Sequence, residues 1–365
     1  MYNPNFQITT SMSKDLMEIE AVRQSVLDLP IDVEMLRSLR QTAKLLTTHF
    51  STQIEGNRLS PAEVARAVKG ARFPGRERDE REVRNYYIAL QEVEQLSEIN
   101  QPITEQTVMK IHGLSFHGKA TPTPYRDGQN VIRDGSTGGI VYMPPEASDV
   151  PGLMSDLIAW INGCLQANEL PSPIVAGLAH YQIATIHPYF DGNGRTARLL
   201  TTLILHKSGY GLKGIYSLEE HYARNLSAYY EALAVGGSHN YYMGRAEADV
   251  TSFLSYFCHG MAAAFSAVRN QALGAASRGA KDRSSILRRL DPRQRRVLEL
   301  FKDQGTATTV EIANRLGLSP RTVVALCREW VKGEFLEMHD PSRKNRAYRL
   351  GKNYEEVIER IKFFR

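Results

Sequence analysis

Two helix-patterned apolar runs, SPIVAGLAHYQIATI and RTARLLTTLILHK, lie a few residues apart, and the gap between them ends in Asp191-Gly192-Asn193-Gly194. No other feature limits the fold as much. Two glycines inside a helix would cost about 1 kcal/mol each, so the chain has to leave one helix, turn tightly and enter another. The first run is apolar on nearly all sides and predicts a buried central helix. Neither run is long enough to span a membrane. A mainly α domain built around this helix–loop–helix follows.

The loop also carries chemistry. A glycine-rich turn feeding a helix N-terminus presents backbone N–H groups and is an anion site by geometry. Arg195 and Arg198 are three apart on the second helix, share a face and add charge. Asp191 supplies a hard oxygen, and Mg²⁺ commonly binds one carboxylate together with phosphate oxygens. His187 is the only nearby group suited to act as a base near neutral pH. Taken singly, a His before Pro, a DGNG turn and a pair of helical arginines are ordinary surface features. Together they describe a phosphate-bearing substrate, a metal and a base, hence attack of a hydroxyl on a nucleotide phosphate.

HPYFDGNGRTAR resembles the signature of the Fic (Fic/Doc) family, His-Pro-Phe-x-Asp/Glu-Gly-Asn-Gly-Arg-x-x-Arg, and departs from it at Tyr189, where Phe is usual. The resemblance extends over about residues 40–260. It implies a helical fold that transfers AMP from ATP to a Ser, Thr or Tyr hydroxyl of a target protein, and of the chain itself. It assigns His187 as general base and Asp191 as the Mg²⁺ ligand. Gly192, Asn193 and Gly194 become the anion nest, and Arg195 and Arg198 the grip on the outer phosphates.

Three further stretches resemble parts of the same family. In 125–145, YRDGQNVIRDGSTGGIVYMPP, β-branched residues flank a turn-forming cluster and predict a hairpin. It resembles the family's flap, whose edge can pair with an extended target segment. Gly139, Ile140, Val141 and Tyr142 would then lie against the nucleotide. RNLSAYYEAL resembles the lining of the adenine pocket, with Asn225, Tyr229 and Tyr230 as candidates; aromatic packing in a helical core explains them equally well. STQIEGN resembles the family's inhibitory motif, Ser/Thr-x-x-x-Glu-Gly/Asn, with Ser51, Glu55 and Gly56 in its fixed positions. The resemblance implies that Glu55 pairs with Arg198 and keeps it from the γ-phosphate.

The chain has 365 residues, too many for one ordinary core. Its charge is uneven: residues 281–365 hold 20 Lys and Arg against 12 Asp and Glu, and the remainder is slightly acidic. Capping boxes at Asp291/Gln294 and Thr308/Glu311, a short turn at Gly317 and a third helix from Ser319-Pro320 predict a helix-turn-helix, followed by strand, basic turn and strand. This resembles a winged helix, a common DNA-binding module. In that reading Arg321, Thr322 and Arg328 face the major groove, while Arg343, Lys344 and Arg346 neutralise phosphates. A winged helix used for protein contacts is the competing reading.

The expected organisation is therefore a helical N-terminal region (1–110) with the inhibitory helix at about 44–56, a core (111–270), a linker (271–284) and the winged helix (285–365). A dimer would suit both modules. Three scattered cysteines, no secretory signal and no membrane-length segment point to the cytoplasm. A reading from another class is a DNA-binding regulator whose core senses a nucleotide or protein.

Overall fold

The computed structural model describes residues 2–29, 31, 33–133, 138–279, 290–302, 304–342, 346–352 and 354. Four helices open the chain: α1 (Thr10–Asp28), α2 (Val33–Ile54), α3 (Pro61–Val68) and α4 (Glu77–Glu98). A capping box starts α3, with Ser60 and Glu63 exchanging hydrogen bonds and Pro61 in the first turn. Then come α5 (Glu105–His112) and a π-helical turn (Gly113–His117). The two short strands β1 (Ile132–Arg133) and β2 (Ile140–Tyr142) follow, and then α6 (Val150–Ala167). The predicted central pair appears as α7 (Ser172–Ile186) and α8 (Asn193–Lys207), followed by α9 (Glu219–Arg224), α10 (Leu226–Leu233) and α11 (Thr251–Gly279).

Almost every residue of α7 is buried, as its unbroken apolar pattern requires. Gly177 lets α11 approach closely: a Cβ there would come within 2.9 Å of Leu254 and 3.0 Å of Phe257. One apolar core holds Met12, Ile19 and Val22 of α1, Tyr86 and Val93 of α4, and the inner faces of α7, α8 and α11. The expected boundary at 110/111 is therefore corrected. It falls inside α5, and the N-terminal helices share the core of the helices that follow.

Two compact units divide the chain, residues 1–276 and 277–365. Of the stretch 271–284 expected as a linker, residues 271–279 are the end of α11, because its Ala-rich composition favours helix in spite of its weak apolar pattern. Residues 280–284 lie outside the described residues. The second unit comprises α12 (Pro292–Leu298), β3 (Ala307–Thr308), α13 (Thr309–Leu316), α14 (Pro320–Lys332), β4 (Leu336–Asp340) and β5 (Ala347–Leu350), with antiparallel strand order β3-β5-β4. Its own core includes Val297, Phe301, Ile312, Val323, Trp330 and Tyr348. Both expected capping boxes are present. Among the described residues, no helix is long and apolar enough to cross a membrane.

Candidate active site

The site forms where α7 stops. His187 caps α7 in the left-handed region (φ 52°, ψ 58°), its N–H donating to Ile183 C=O at 2.9 Å. Asn193 then closes the loop on itself. Its side-chain oxygen accepts from Tyr189 N–H at 2.9 Å, and its amide donates to Tyr189 C=O at 2.8 Å. Gly192 has φ +79°, and a Cβ there would come within 3.0 Å of His112 Nε2 and 3.1 Å of Phe116, so no other residue fits without strain. The first N–H groups of α8 have no partner within the helix and face the loop's opening. Asn193 thus spends its side chain on closing the loop.

Two buried guanidiniums back this loop. Arg195 is covered by Phe116, 5.2 Å from the ring centre, and approaches Asp191 at 3.6 Å. Arg198 is 1% exposed. Its Nε donates to Ser51 Oγ at 2.8 Å, and its Nη2 donates to Ser51 C=O at 3.0 Å and to Glu55 at 2.7 Å. The Nη1 group of Arg198 is buried without a partner, as is Nε of Arg195. Buried guanidinium groups beside a glycine loop can receive an anion's oxygens.

Glu55 reaches Arg198 from just beyond the end of α2. That helix runs from Val33 to Ile54 and is much longer than the expected 44–56. Its buried face is largely hydroxyls (Thr47, Thr48, Ser51, Thr52), which are small enough for close approach. Gly56, at φ +90°, turns the chain, and Asn57 ties the turn to α4 by donating to Asp79 C=O at 2.9 Å. Ser51 and Glu55 therefore both contact Arg198, and Gly56 turns the chain just beyond them. The carboxylate lies over the loop, where a Cβ on Gly194 would meet it at 2.7 Å.

Burial pushes the His187 imidazole down to about 4, so the ring is neutral at pH 7. Its Nδ1 lies 3.4 Å from Ala184 C=O, which can only accept, so the lone pair resides on Nε2. Asp191 is open: its side chain is 59% exposed, and one oxygen accepts from Gly192 N–H at 2.5 Å. Among the described residues no group of three His, Cys, Asp or Glu could hold an ion unaided. The donor set fits Mg²⁺ that arrives with phosphate oxygens and takes one protein ligand.

The hairpin forms as expected, Ile132 pairing with Tyr142 and Arg133 with Ile140. Ile140 and Val141 are exposed. Tyr142 is not available to a nucleotide; it is buried and donates to Thr185 C=O at 2.8 Å, which anchors the hairpin to α7. The edge of β2 is partly occupied. Val141 C=O accepts from His239 Nδ1 at 2.8 Å, and Met143 exchanges backbone hydrogen bonds with His239 and Tyr241. Two adenine-pocket candidates also have structural tasks. Asn225 caps α10 by accepting from Ala228 N–H, and Tyr229 is buried with its hydroxyl 2.8 Å from His180 Nε2. Asn225 and Tyr230 are both exposed, Tyr230 at 51%.

A sequence profile described as the Fic/DOC family matches residues 102–205. The chain carries a Fic/DOC domain. A second profile, winged helix-turn-helix DNA-binding, matches residues 290–328. The protein adenylyltransferase Fic of Drosophila grimshawi is 30% identical over 178 residues, 48% of this chain and 35% of that protein. The protein adenylyltransferase fic-1 of Caenorhabditis elegans is 30% identical over 202 residues, 54% and 38% respectively. The chain thus spans little more than a third of these relatives. Among solved structures, a Fic family protein from Desulfovibrio desulfuricans G20 superposes with a TM-score of 0.66 at 23% identity, covering 96% of this chain and 99% of that one. Fic-1 from C. elegans gives 0.56 at 24% identity and 73% of each. Both likenesses show the fold.

Beside the Fic domain, the winged-helix unit places Arg321 and Arg328 exposed, two turns apart on α14, opposite buried Val323, Cys327 and Trp330. The Thr322 hydroxyl pairs with Ser319 at 2.8 Å in the helix cap and is not a free reader of bases. Arg346 is half-buried, its C=O accepting from Thr309 N–H and its Nε buried. Arg343 and Lys344 lie outside the described residues. Within the Fic domain two residues escaped sequence reasoning. His112 stacks on Tyr189 at 3.7 Å and donates through Nε2 to Asp191 C=O at 2.9 Å. Arg126 is buried among backbone carbonyls. Both spend hydrogen bonds on backbone carbonyls, which no side-chain motif marks.

Proposed function

We propose that this chain is a protein adenylyltransferase restrained by its own Glu55. The acceptor hydroxyl oxygen of a Ser, Thr or Tyr bonds to the α-phosphorus of ATP. The bond from that phosphorus to the pyrophosphate oxygen breaks, and Nε2 of His187 takes the hydroxyl proton. The loop N–H groups of Gly192–Gly194, with Arg195 and Arg198, hold phosphate oxygens and the charge that develops on the leaving group. Asp191 would hold Mg²⁺, which would neutralise phosphate charge when bound. The exposed face of the hairpin, Ile140 and Val141, would bear on the target protein, and Tyr230 on the nucleotide.

The observation that carries this reading is Arg198, a buried cation beside an anion loop with one donor unpartnered and another taken by Glu55. A carboxylate above Gly194 occupies the space and the charge a phosphate would use. The test is mass spectrometry of the full chain after incubation with ATP and Mg²⁺. An added AMP on the Glu55→Gly protein, absent from Glu55→Gly/His187→Ala, supports the reading. No adduct on Glu55→Gly, on itself or on lysate proteins, rejects it.

For the second unit we propose DNA as partner, on the strength of the exposed Arg321 and Arg328 and the basic composition of residues 281–365. The alternative, in which the Fic domain only senses a nucleotide for a DNA-bound regulator, is disfavoured because the sequence keeps His187, the Gly192–Gly194 loop, Arg195 and Arg198.

A further inference from the structure

Arg126 directs its guanidinium at backbone carbonyls. It is 3% exposed, and among the described residues no carboxylate forms an ion pair with it. Its donors go to three backbone carbonyls: Nε to His187 at 2.9 Å, Nη1 to Gly128 at 3.0 Å and Nη2 to Pro145 at 2.5 Å. Its own N–H donates to Pro188 C=O at 2.9 Å. Gly128 precedes β1 and Pro145 follows β2, so one side chain joins both legs of the hairpin to the turn that carries His187.

We propose that Arg126 is a positioning residue that makes the base-bearing turn and the acceptor-holding hairpin a single rigid piece. The inference rests on the adenylyltransferase reading for its consequence, and on contacts alone for its geometry. A buried, unpaired cation is unfavourable unless several oriented acceptors surround it. Only a guanidinium offers planar donors in three directions; an ammonium is a single point and a neutral amide has two donors. One of the carbonyls belongs to a residue held at φ 52°, an uncommon conformation for a non-glycine residue. Bonds to successive carbonyls, His187 and Pro188, hold that turn in place and thereby aim the imidazole. Bonds to Gly128 and Pro145 fix the hairpin's base at the same point. Burial lowers the pKa of Arg126, and Glu146, Tyr242 and Tyr142 act in the opposite sense, so the site is dry enough for these bonds to count.

The experiment compares Arg126→Lys and Arg126→Gln in the full chain carrying Glu55→Gly. It follows ATP affinity by calorimetry, transfer kinetics, and amide hydrogen exchange of residues 138–143 and 187–189. Small displacements of reacting groups have large kinetic effects, so kcat should fall roughly 100-fold in Arg126→Gln while ATP affinity changes by no more than about twofold. Arg126→Lys, which keeps the charge but not the fork, should recover about tenfold of that loss. Exchange in both segments should accelerate together. A kcat within about twofold of the parent, or an ATP affinity that falls as much as kcat does, would overturn the proposal. If Arg126→Gln does not fold, Arg126→Lys decides, with a kcat about tenfold below the parent expected and parental kcat and exchange overturning the proposal. If the Glu55→Gly parent transfers no AMP, the functional reading fails, and exchange alone judges the joint: paired loosening sustains it, and loosening of the hairpin without the turn removes it.

Discussion

Glu55→Gly should raise AMP transfer while lowering the stability of the nucleotide-free protein. Arg198 is 1% exposed, and the Glu55 side chain, at 24%, is half-shielded, so their 2.7 Å contact falls between a surface pair and a buried one. A hydrogen bond to a charged group in such a setting is worth about 1.5–3 kcal/mol. On the proposed reading ATP competes with that bond for Arg198, and 1.4 kcal/mol corresponds to about tenfold, so productive occupancy should rise by roughly 10- to 100-fold. Without ATP the same change removes the carboxylate partner of Arg198 and leaves the Ser51 contacts, and a glycine beside Gly56 loosens the turn by about 1 kcal/mol. The melting temperature of the nucleotide-free variant should therefore drop, and the shift caused by saturating ATP should grow. Self-labelling with labelled ATP at equal protein and Mg²⁺, alongside thermal melts, measures both. Adding His187→Ala should cancel the gain, and Arg198→Ala should be inactive with or without Glu55. An unchanged or lower rate in Glu55→Gly would refute the reasoning and leave the end of α2 as structure alone.

His187→Ala alone should abolish transfer and leave ATP affinity nearly intact, since the phosphates are held by the loop and the arginines; calorimetry with labelled transfer checks this. Deleting residues 285–365 should leave a folded Fic domain that still labels itself. The full chain should bind duplex DNA with steep salt dependence and the shortened one should not, as measured by fluorescence anisotropy across a salt series. Acid should destabilise the fold through His112, held down at about 4, and His180, held down at about 3, both by burial. The unfolded chain binds their protons from about pH 6.5 downward and the native state does not, so stability is full above that pH and falls below it, by about 2 kcal/mol for each at pH 5. Glu219, whose carboxyl burial raises, works in the opposite sense. Denaturant midpoints at pH 7.5 and pH 5 test the sign, and equal midpoints would count against it.

What could be read from the sequence was local or carried by a long motif. The break between α7 and α8 follows from two glycines between apolar runs, and the capping boxes at Ser60, Asp291 and Thr308 follow from spacing alone. The meeting of Glu55 with Arg198, 143 residues apart, was accessible only through resemblance. Burial was the information missing elsewhere. Tyr142 and Tyr229 sit in motifs that suggested ligand contact, yet their hydroxyls are spent on Thr185 and His180. Arg126 and His112 act on backbone carbonyls, which leave no trace in a side-chain pattern. The C-terminal part of α11 was misread because a helix can extend beyond its apolar stripe when its composition favours it.

The way α2 ends has a consequence for timing and for evolution. The helix is built into the core, with Ile54 packed inside and Lys44 bonded to Glu94 on α4, so it cannot lift away without partial unfolding. Glu55 stands one residue beyond it, on a turn closed by Gly56 and Asn57. Freeing Arg198 requires only a rotamer change of one side chain, a motion of nanoseconds to microseconds rather than the milliseconds of a domain movement. On the adenylyltransferase reading, restraint of this kind would act as a rapid equilibrium in every catalytic cycle, not as a gate that opens once. Its strength can be retuned by single substitutions at the turn while the rest of α2 remains answerable to the fold.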